Sequence, residues 1–246
     1  MPVELIKTGV PGLDQVLKGG LRRNSTVLVT GAPGTGKTLL ALEFIYYGAK
    51  DCGENGIFIT TEESIDVLSQ SAKNLGMDIQ SMISKDKIFF VQKSLVTLRG
   101  GISSIKGLLN LIKKNNIKRV ALDSLIFFDY LYPRFNSNKM EFRRQVLMFM
   151  QQMKKAGVTF LAVSERSVTD FDRLTYDMMD FVFEGMIILS RVRKGSYFER
   201  VLTVAKLRGQ DHSLDAYPVT IGSDGLKILF DQTPFSLVEK EEAGFK

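Results

Sequence analysis

Eight residues, Gly31-Ala-Pro-Gly-Thr-Gly-Lys-Thr38, fit the Gly-x-x-x-x-Gly-Lys-Thr pattern, whose chemistry is to hold phosphate. A polyphosphate needs backbone N–H groups turned inward around its oxygens. Only residues with little or no side chain let a loop curl that tightly. Gly31, Gly34 and Gly36 supply that freedom, with Ala32, Pro33 and Thr35 as the links between them. Lys37 would bring a full positive charge to the β- and γ-phosphates of ATP. Thr38 would offer a hydroxyl to Mg2+, a hard ion that prefers oxygen ligands and keeps several waters. The plain alternative is a glycine-rich turn that binds nothing, and the flanks speak against it. Thr26 to Thr30 is a short β-branched apolar run, and Lys37 to Gly48 has the Leu, Ala and Glu content of a helix. Strand, glycine loop and helix are the context the pattern requires.

Other polar residues sit where strands should end. Glu62 and Glu63 follow Gly56 to Thr61, Asp123 and Ser124 follow Lys118 to Leu122, and Ser164 and Glu165 close Val158 to Ser164. Ligands of open α/β sheets lie beyond the carboxyl ends of the strands, so these acids converge on the phosphate loop. Asp123 suits the second metal-side group, touching Mg2+ directly or through water. Glu62 or Glu63 would polarise an attacking water, a task for a carboxylate within hydrogen-bond reach. Acids are also favoured ahead of a helix, here the one beginning at Ile65, and the sequence does not choose between the two glutamates. Lys206 and Arg208 lie two apart in an extended stretch and share a face, where two cations would clamp developing phosphate charge. Pattern alone favours a solvated strand end for them.

The elements that position these groups alternate. Strands are expected at 26–30, 56–61, 87–92, 118–123 and 158–164, and helices at 37–48, 65–75, from 101 onward and at 139–156. In the last helix Phe142, Val146, Phe149, Met150 and Met153 recur at helical spacing and read as core. After Asp180 the pattern changes to strands. Phe181 to Val192 pairs with Tyr197 to Leu207, and a hairpin joins Pro218–Ile221 to Leu226–Phe230. The segment from Thr8 to Leu21 reads as a loop and cap with one helical turn. The expectation is one α/β domain over residues 1–246, with its core at about 8–230 and a charged tail at 231–246. Its mainly parallel central sheet is extended by C-terminal antiparallel strands, with helices on both faces.

Composition narrows the class without choosing a function. The 246 residues are 44% hydrophobic and 24% charged, values of an ordinary globular chain. The single cysteine, Cys52, excludes an internal disulfide and a cysteine-rich metal site and suits a reducing cytoplasm. No run approaches membrane-helix length, and no N-terminal stretch looks like a signal peptide. A net charge of +6 and a pI near 9.3 are compatible with a polyanionic partner such as nucleic acid, although no Lys/Arg block stands out.

An ordered set of motifs carries a family resemblance. Thr8-Gly-x-x-Gly-Leu-Asp-x-x-Leu-x-Gly-Gly20, the phosphate loop, Thr61-Glu-Glu63, Leu122-Asp-Ser124, Ser164-Glu-Arg166 and Lys206-Leu-Arg-Gly209 follow in order. The chain resembles a single-domain member of the KaiC-like branch of the RecA/RadA ATPase superfamily, from about Thr8 to Phe230. The resemblance implies a RecA-type fold, a Mg2+-dependent ATPase and a homo-oligomer with ATP at the subunit interface. Lys206 and Arg208 would reach a neighbour's γ-phosphate, and Glu62 and Glu63 match the family's catalytic glutamates. In the recombinase branch, single-stranded DNA is held by loops that correspond here to Asp129–Lys139 and Arg166–Asp180. Arg134, Lys139, Arg143, Arg144, Arg166 and Arg173 are the phosphate-contact candidates, in a recombination accessory role beside a RadA-type recombinase. An ATP-dependent regulatory or assembly protein, or an autokinase, is the alternative. KaiC carries two tandem copies of the domain and this sequence one. The recombinases' N-terminal domain and Phe-x-x-Ala tether are not found in residues 1–7.

Overall fold

The computed structural model describes residues 3–92, 105–132, 139–166, 178–194 and 196–235. Its chain order begins with a feature not expected from the sequence. β1 (Leu5–Ile6) and β2 (Leu21–Arg22) form a small antiparallel pair around α1 (Leu13–Val16). The segment is tied by Asp14, whose carboxylate accepts from the Thr8 amide and hydroxyl at 2.8 Å each. Then come β3 (Thr26–Gly31), α2 (Lys37–Asp51), β4 (Gly56–Thr60), α3 (Ile65–Asn74), α4 (Ile79–Ser84) and β5 (Ile88–Gln92). α5 (Ile105–Lys114), β6 (Arg119–Asp123), α6 (Phe127–Leu131), α7 (Lys139–Lys155) and β7 (Thr159–Glu165) complete the alternating part. A 3-10 turn at Met178–Phe181 precedes β8 (Gly185–Lys194), β9 (Tyr197–Leu207), β10 (Tyr217–Gly222) and β11 (Gly225–Ile228).

Among the described residues, nine strands make one sheet in the order β11-β10-β9-β8-β3-β7-β6-β4-β5. From β5 to β8 all neighbours run parallel, and β9, β10 and β11 add on antiparallel. This is the mainly parallel sheet with an antiparallel extension that the strand spacing predicts. β8 begins at Gly185 rather than Phe181, because Met178–Phe181 is drawn into the 3-10 turn.

Alternate residues of the central strands feed two cores. Val27, Val29, Phe58, Ala121, Leu161 and Val163 face α2, α3 and the N-terminal segment, while Leu28, Ile57, Ile59, Val120, Leu122 and Phe160 face α5, α6 and α7. A strand covered on both faces is apolar along its middle, which is why Val27–Val29 in β3 and Ile57–Ile59 in β4 show no alternation. The stripe on α7 is core as expected: Val146, Phe149, Met150 and Met153 are buried, and the Phe149 ring meets Phe128 edge-on at 5.1 Å. Each such side chain contributes roughly 1.5–3 kcal/mol by leaving water. Helices therefore cover both faces of the sheet.

Candidate functional site

The chain leaves β3 and next enters the sheet at β4, three places away, and β6 and β7 later fill the gap. That reversal opens a crevice beyond the carboxyl ends of β3, β7, β6 and β4, and the sequence-expected residues meet there. The crevice is a cleft of about 390 Å3, and Pro33, Gly34, Gly36, Lys37, Thr38, Glu62, Glu63, Asp123, Ser124 and Glu165 line its polar side. Leu39, Leu42, Leu68, Ala72, Leu75 and Ile221 form an apolar wall.

The loop can take its shape only with glycine at key points. A methyl group on Gly31 would stand 2.0 Å from the Leu189 carbonyl of β8, so the strand can turn there only without a side chain. Gly36 caps α2 in the left-handed region at φ 107. The helix then starts at Lys37, as the loop pattern requires, and its positive dipole end faces the cleft. The Lys37 ammonium and the Thr35 hydroxyl both donate to the Ala32 carbonyl at 2.9 Å. Burial pulls the Lys37 ammonium below its ordinary pKa, against the charges of Glu165, Asp123 and Glu62.

Asp123 closes β6 and accepts a hydrogen bond from the Thr38 hydroxyl. Burial pushes its carboxyl upward and Glu62 and Glu63 add to the shift, while Thr38 and Lys37 oppose it. A hydroxyl and a carboxylate in contact are the hard oxygen pair that Mg2+ takes when phosphate and water complete its shell. No group of three or more His, Cys, Asp or Glu side chains among the described residues is placed to hold a metal without such help.

The structure separates the two glutamates. The Ser124 hydroxyl donates to the Glu62 carboxylate at 3.1 Å. Thr61 fixes the strand end behind it, because its amide donates to the Asp123 carbonyl at 2.8 Å and its hydroxyl accepts from the Ser124 amide at 3.1 Å. Among the described residues Glu63 is held through its backbone, whose amide and carbonyl both bond the Thr60 hydroxyl.

Lys206 and Arg208 lie away from their own chain's loop. Lys206 pairs with Met186, which is level with Leu28, three residues before Gly31. Its ammonium donates to the carbonyls of Asp180 and Phe183, and the Arg208 amide donates to Glu184. Burial lowers the Lys206 pKa and Arg208 reinforces the shift, against Asp180.

Of the nucleic-acid candidates, Lys139, Arg143 and Arg144 share α7, and Arg166 follows β7. Arg166 forms an ion pair with the buried Asp180, Arg144 is exposed and 3.6 Å from Glu141, Lys139 is exposed and Arg143 half-buried. Arg134 and Arg173 lie outside the described residues, as does most of each loop.

Sequence reasoning missed several residues. Glu165 was legible as a strand end but had no role assigned, and Arg191, which donates to the Pro33 carbonyl at 3.0 Å, looked like any strand arginine. The apolar wall is assembled from α2, α3 and β10, so no single stretch announces it.

The comparisons agree with this architecture. The family profile described as "ATPase: KaiC" matches residues 6–233. The circadian clock oscillator protein KaiC of Picosynechococcus sp. is 33% identical over 233 residues, 92% of this chain and 44% of that protein. KaiC of Prochlorococcus marinus is likewise 33% identical, over 238 residues, with 45% of its length covered. The chain thus spans under half the length of these curated relatives. A crystal structure of a KaiC-like protein from the archaeon Pyrococcus horikoshii superposes with a TM-score of 0.78 at 30% identity, covering 92% of this chain and 99% of that one. With the loop, the strand-end acids and the RecA-type sheet all in place, the chain belongs to the KaiC family of ATPases.

Proposed function

We propose that the chain binds Mg·ATP in this cleft and hydrolyses it to ADP and phosphate, working as a homo-oligomer with the nucleotide near a subunit interface. The observation that carries the reading is the meeting of Lys37, Thr38, Asp123 and Glu62, from three separate elements, around one glycine loop. Mg2+ held by Thr38 and Asp123 would neutralise charge on the phosphate oxygens. Loop amides and Lys37 orient the β- and γ-phosphates, which requires Lys37 to leave the Ala32 carbonyl. Glu62, steadied by Ser124, is placed to take the proton of a water attacking the γ-phosphorus, with ADP leaving on the far side. The apolar wall around Leu75 and Ile221 offers a dry surface for the adenine ring.

The opposite-rim position of Lys206 and Arg208 supports a role across a subunit boundary, because neither lines its own cleft. A single-stranded DNA role has less support, since Arg166 is engaged with Asp180 and Arg144 stands beside Glu141. Steady-state turnover tests the reading. Lys37→Ala should lose at least about 100-fold in ATP hydrolysis, as expected where a preorganised cation stabilises transferring phosphoryl charge. Turnover equal to wild type would overturn it.

A further inference from the structure

β8 runs parallel to β3 with Leu189 opposite Gly31, so it continues past the end of its neighbour and carries Arg191 alongside the phosphate loop. There the Arg191 Nη2 donates to the Pro33 carbonyl at 3.0 Å. Its Nη1 would stand 3.9 Å from a methyl placed on Gly34, so the guanidinium lies against that one peptide unit. Among the described residues it has no carboxylate partner. Pro33 and Gly34 line the cleft, and Arg191, which approaches the loop from β8, is not among the residues that line it.

A trans peptide is planar, and its carbonyl and N–H point in opposite directions. The Pro33–Gly34 bond is trans. A carbonyl drawn outward to Arg191 therefore leaves the Gly34 N–H facing the cleft, where the loop must present donors to phosphate. A cation on the carbonyl also polarises the peptide, which makes that N–H a better donor. The preceding carbonyl, of Ala32, faces the other way and accepts from Lys37. Neighbouring peptide units are thus held in alternate senses by two cations from different elements.

We propose that Arg191 is a positioning residue of the phosphate loop: by pinning the Pro33 carbonyl outward it presents the Gly34 N–H to the β-phosphate of the nucleotide. This rests on the ATP-binding reading above. Because the effect is on phosphate common to ADP and ATP, it belongs to binding and not to the chemical step. Lysine in its place keeps the charge but has no planar fork to lie along the peptide.

The test compares wild type, Arg191→Met, Arg191→Lys and Lys37→Ala by binding of fluorescent ADP, by ATP turnover kinetics and by the amide signal of Gly34 in nucleotide-free labelled protein. Arg191→Met should weaken ADP binding and raise the KM for ATP at least about fivefold, the value of one ordinary hydrogen bond. The kcat at saturation should stay within about twofold and the melting temperature should not change. The Gly34 amide proton should move upfield, and Arg191→Lys should fall between. ADP affinity within twofold of wild type, or a fall in kcat alone, would overturn the proposal. Should wild type itself bind no nucleotide, the ATP reading fails separately, and an unmoved Gly34 amide would still refute the Arg191 contact.

Discussion

The two rims of the sheet treat charge in opposite ways. At the rim where the strands begin, the buried Arg119 and the half-buried Glu184 are both paired. Arg119, fully buried, bonds Glu54 at 2.7 Å and the carbonyls of Lys7, Thr8 and Phe44. Glu184 receives both Arg22 and Lys154, and although its burial alone would raise its pKa, those cations outweigh it and hold the carboxyl below its usual range. At the rim where the strands end, Asp123, Glu62, Glu63 and Glu165 line the cleft that holds Lys37. Burial and like charge push the Asp123 carboxyl up. One rim pairs Arg119 and Glu184 with opposite charge and so holds the fold. The other keeps an excess of one sign in a partly dry cleft, an arrangement that a cation bound with phosphate would relieve.

Substitutions at the two rims should therefore separate activity from stability. The largest effect is expected for Glu62→Gln, with turnover falling about 10²–10⁴-fold, the range of general-base catalysis, and no loss of melting temperature. An equal loss from Glu63→Gln, with Glu62→Gln mild, would reverse the assignment made from the Ser124 contact. At the other rim, Arg119→Met should cost about 3–5 kcal/mol in denaturant unfolding, because the carbonyls of Lys7, Thr8 and Phe44 lose their donor and the largely buried Glu54 is left with one of its two cations, Arg23. A cost near zero would mean that the network is dispensable.

A smaller effect, on the order of 1 kcal/mol, separates the two carboxylates by pH. The folded pKa of Asp123 lies above its usual 3.8, so its contribution is full below that value and is lost as pH rises through the folded pKa. The folded pKa of Glu184 lies below its usual 4.5, so its contribution is full above that value and is lost as pH falls. Asp123→Asn should raise the urea midpoint at neutral pH and Glu184→Gln should lower it, with both differences shrinking in acid. Parallel shifts of the same sign would contradict the contrast between the rims.

The rim that carries the phosphate-loop motif was the more legible of the two. A phosphate loop is a local device: glycine spacing, lysine and threonine are contiguous, and strand-end acids are marked by apolar runs stopping at Glu62 and Asp123. The pairing at the other rim was hidden. Arg119 reads as a charged residue beside Lys118, yet it is buried through partners at positions 7, 8, 44 and 54 that only the fold brings near. Glu43 was hidden for the same reason. On α2 it looks like a solvated helix acid, but burial pushes its carboxyl up to about 8 and it accepts from the Leu226 amide at 2.6 Å. Short elements escaped notice because they cannot stand alone. α4 is six residues held by the Asp78 side chain on the Ser81 amide, below the length at which periodicity shows. Lys206 and Arg208 were placed on one face by strand alternation. The register shift between Met186 and Ile187 changes the pairing just before Lys206, whose ammonium meets the chain's own carbonyls.

The central claim is that the loop from Gly31 to Thr38 and the acids of neighbouring strand ends hold one Mg·nucleotide. A crystal structure with Mg2+ and a non-hydrolysable ATP analogue tests it most directly. The account predicts phosphate oxygens within hydrogen-bond reach of the loop amides and Lys37, Mg2+ beside Thr38 and Asp123, and the base against Leu75 and Ile221. Phosphates bound elsewhere, or a metal remote from Asp123, would contradict it.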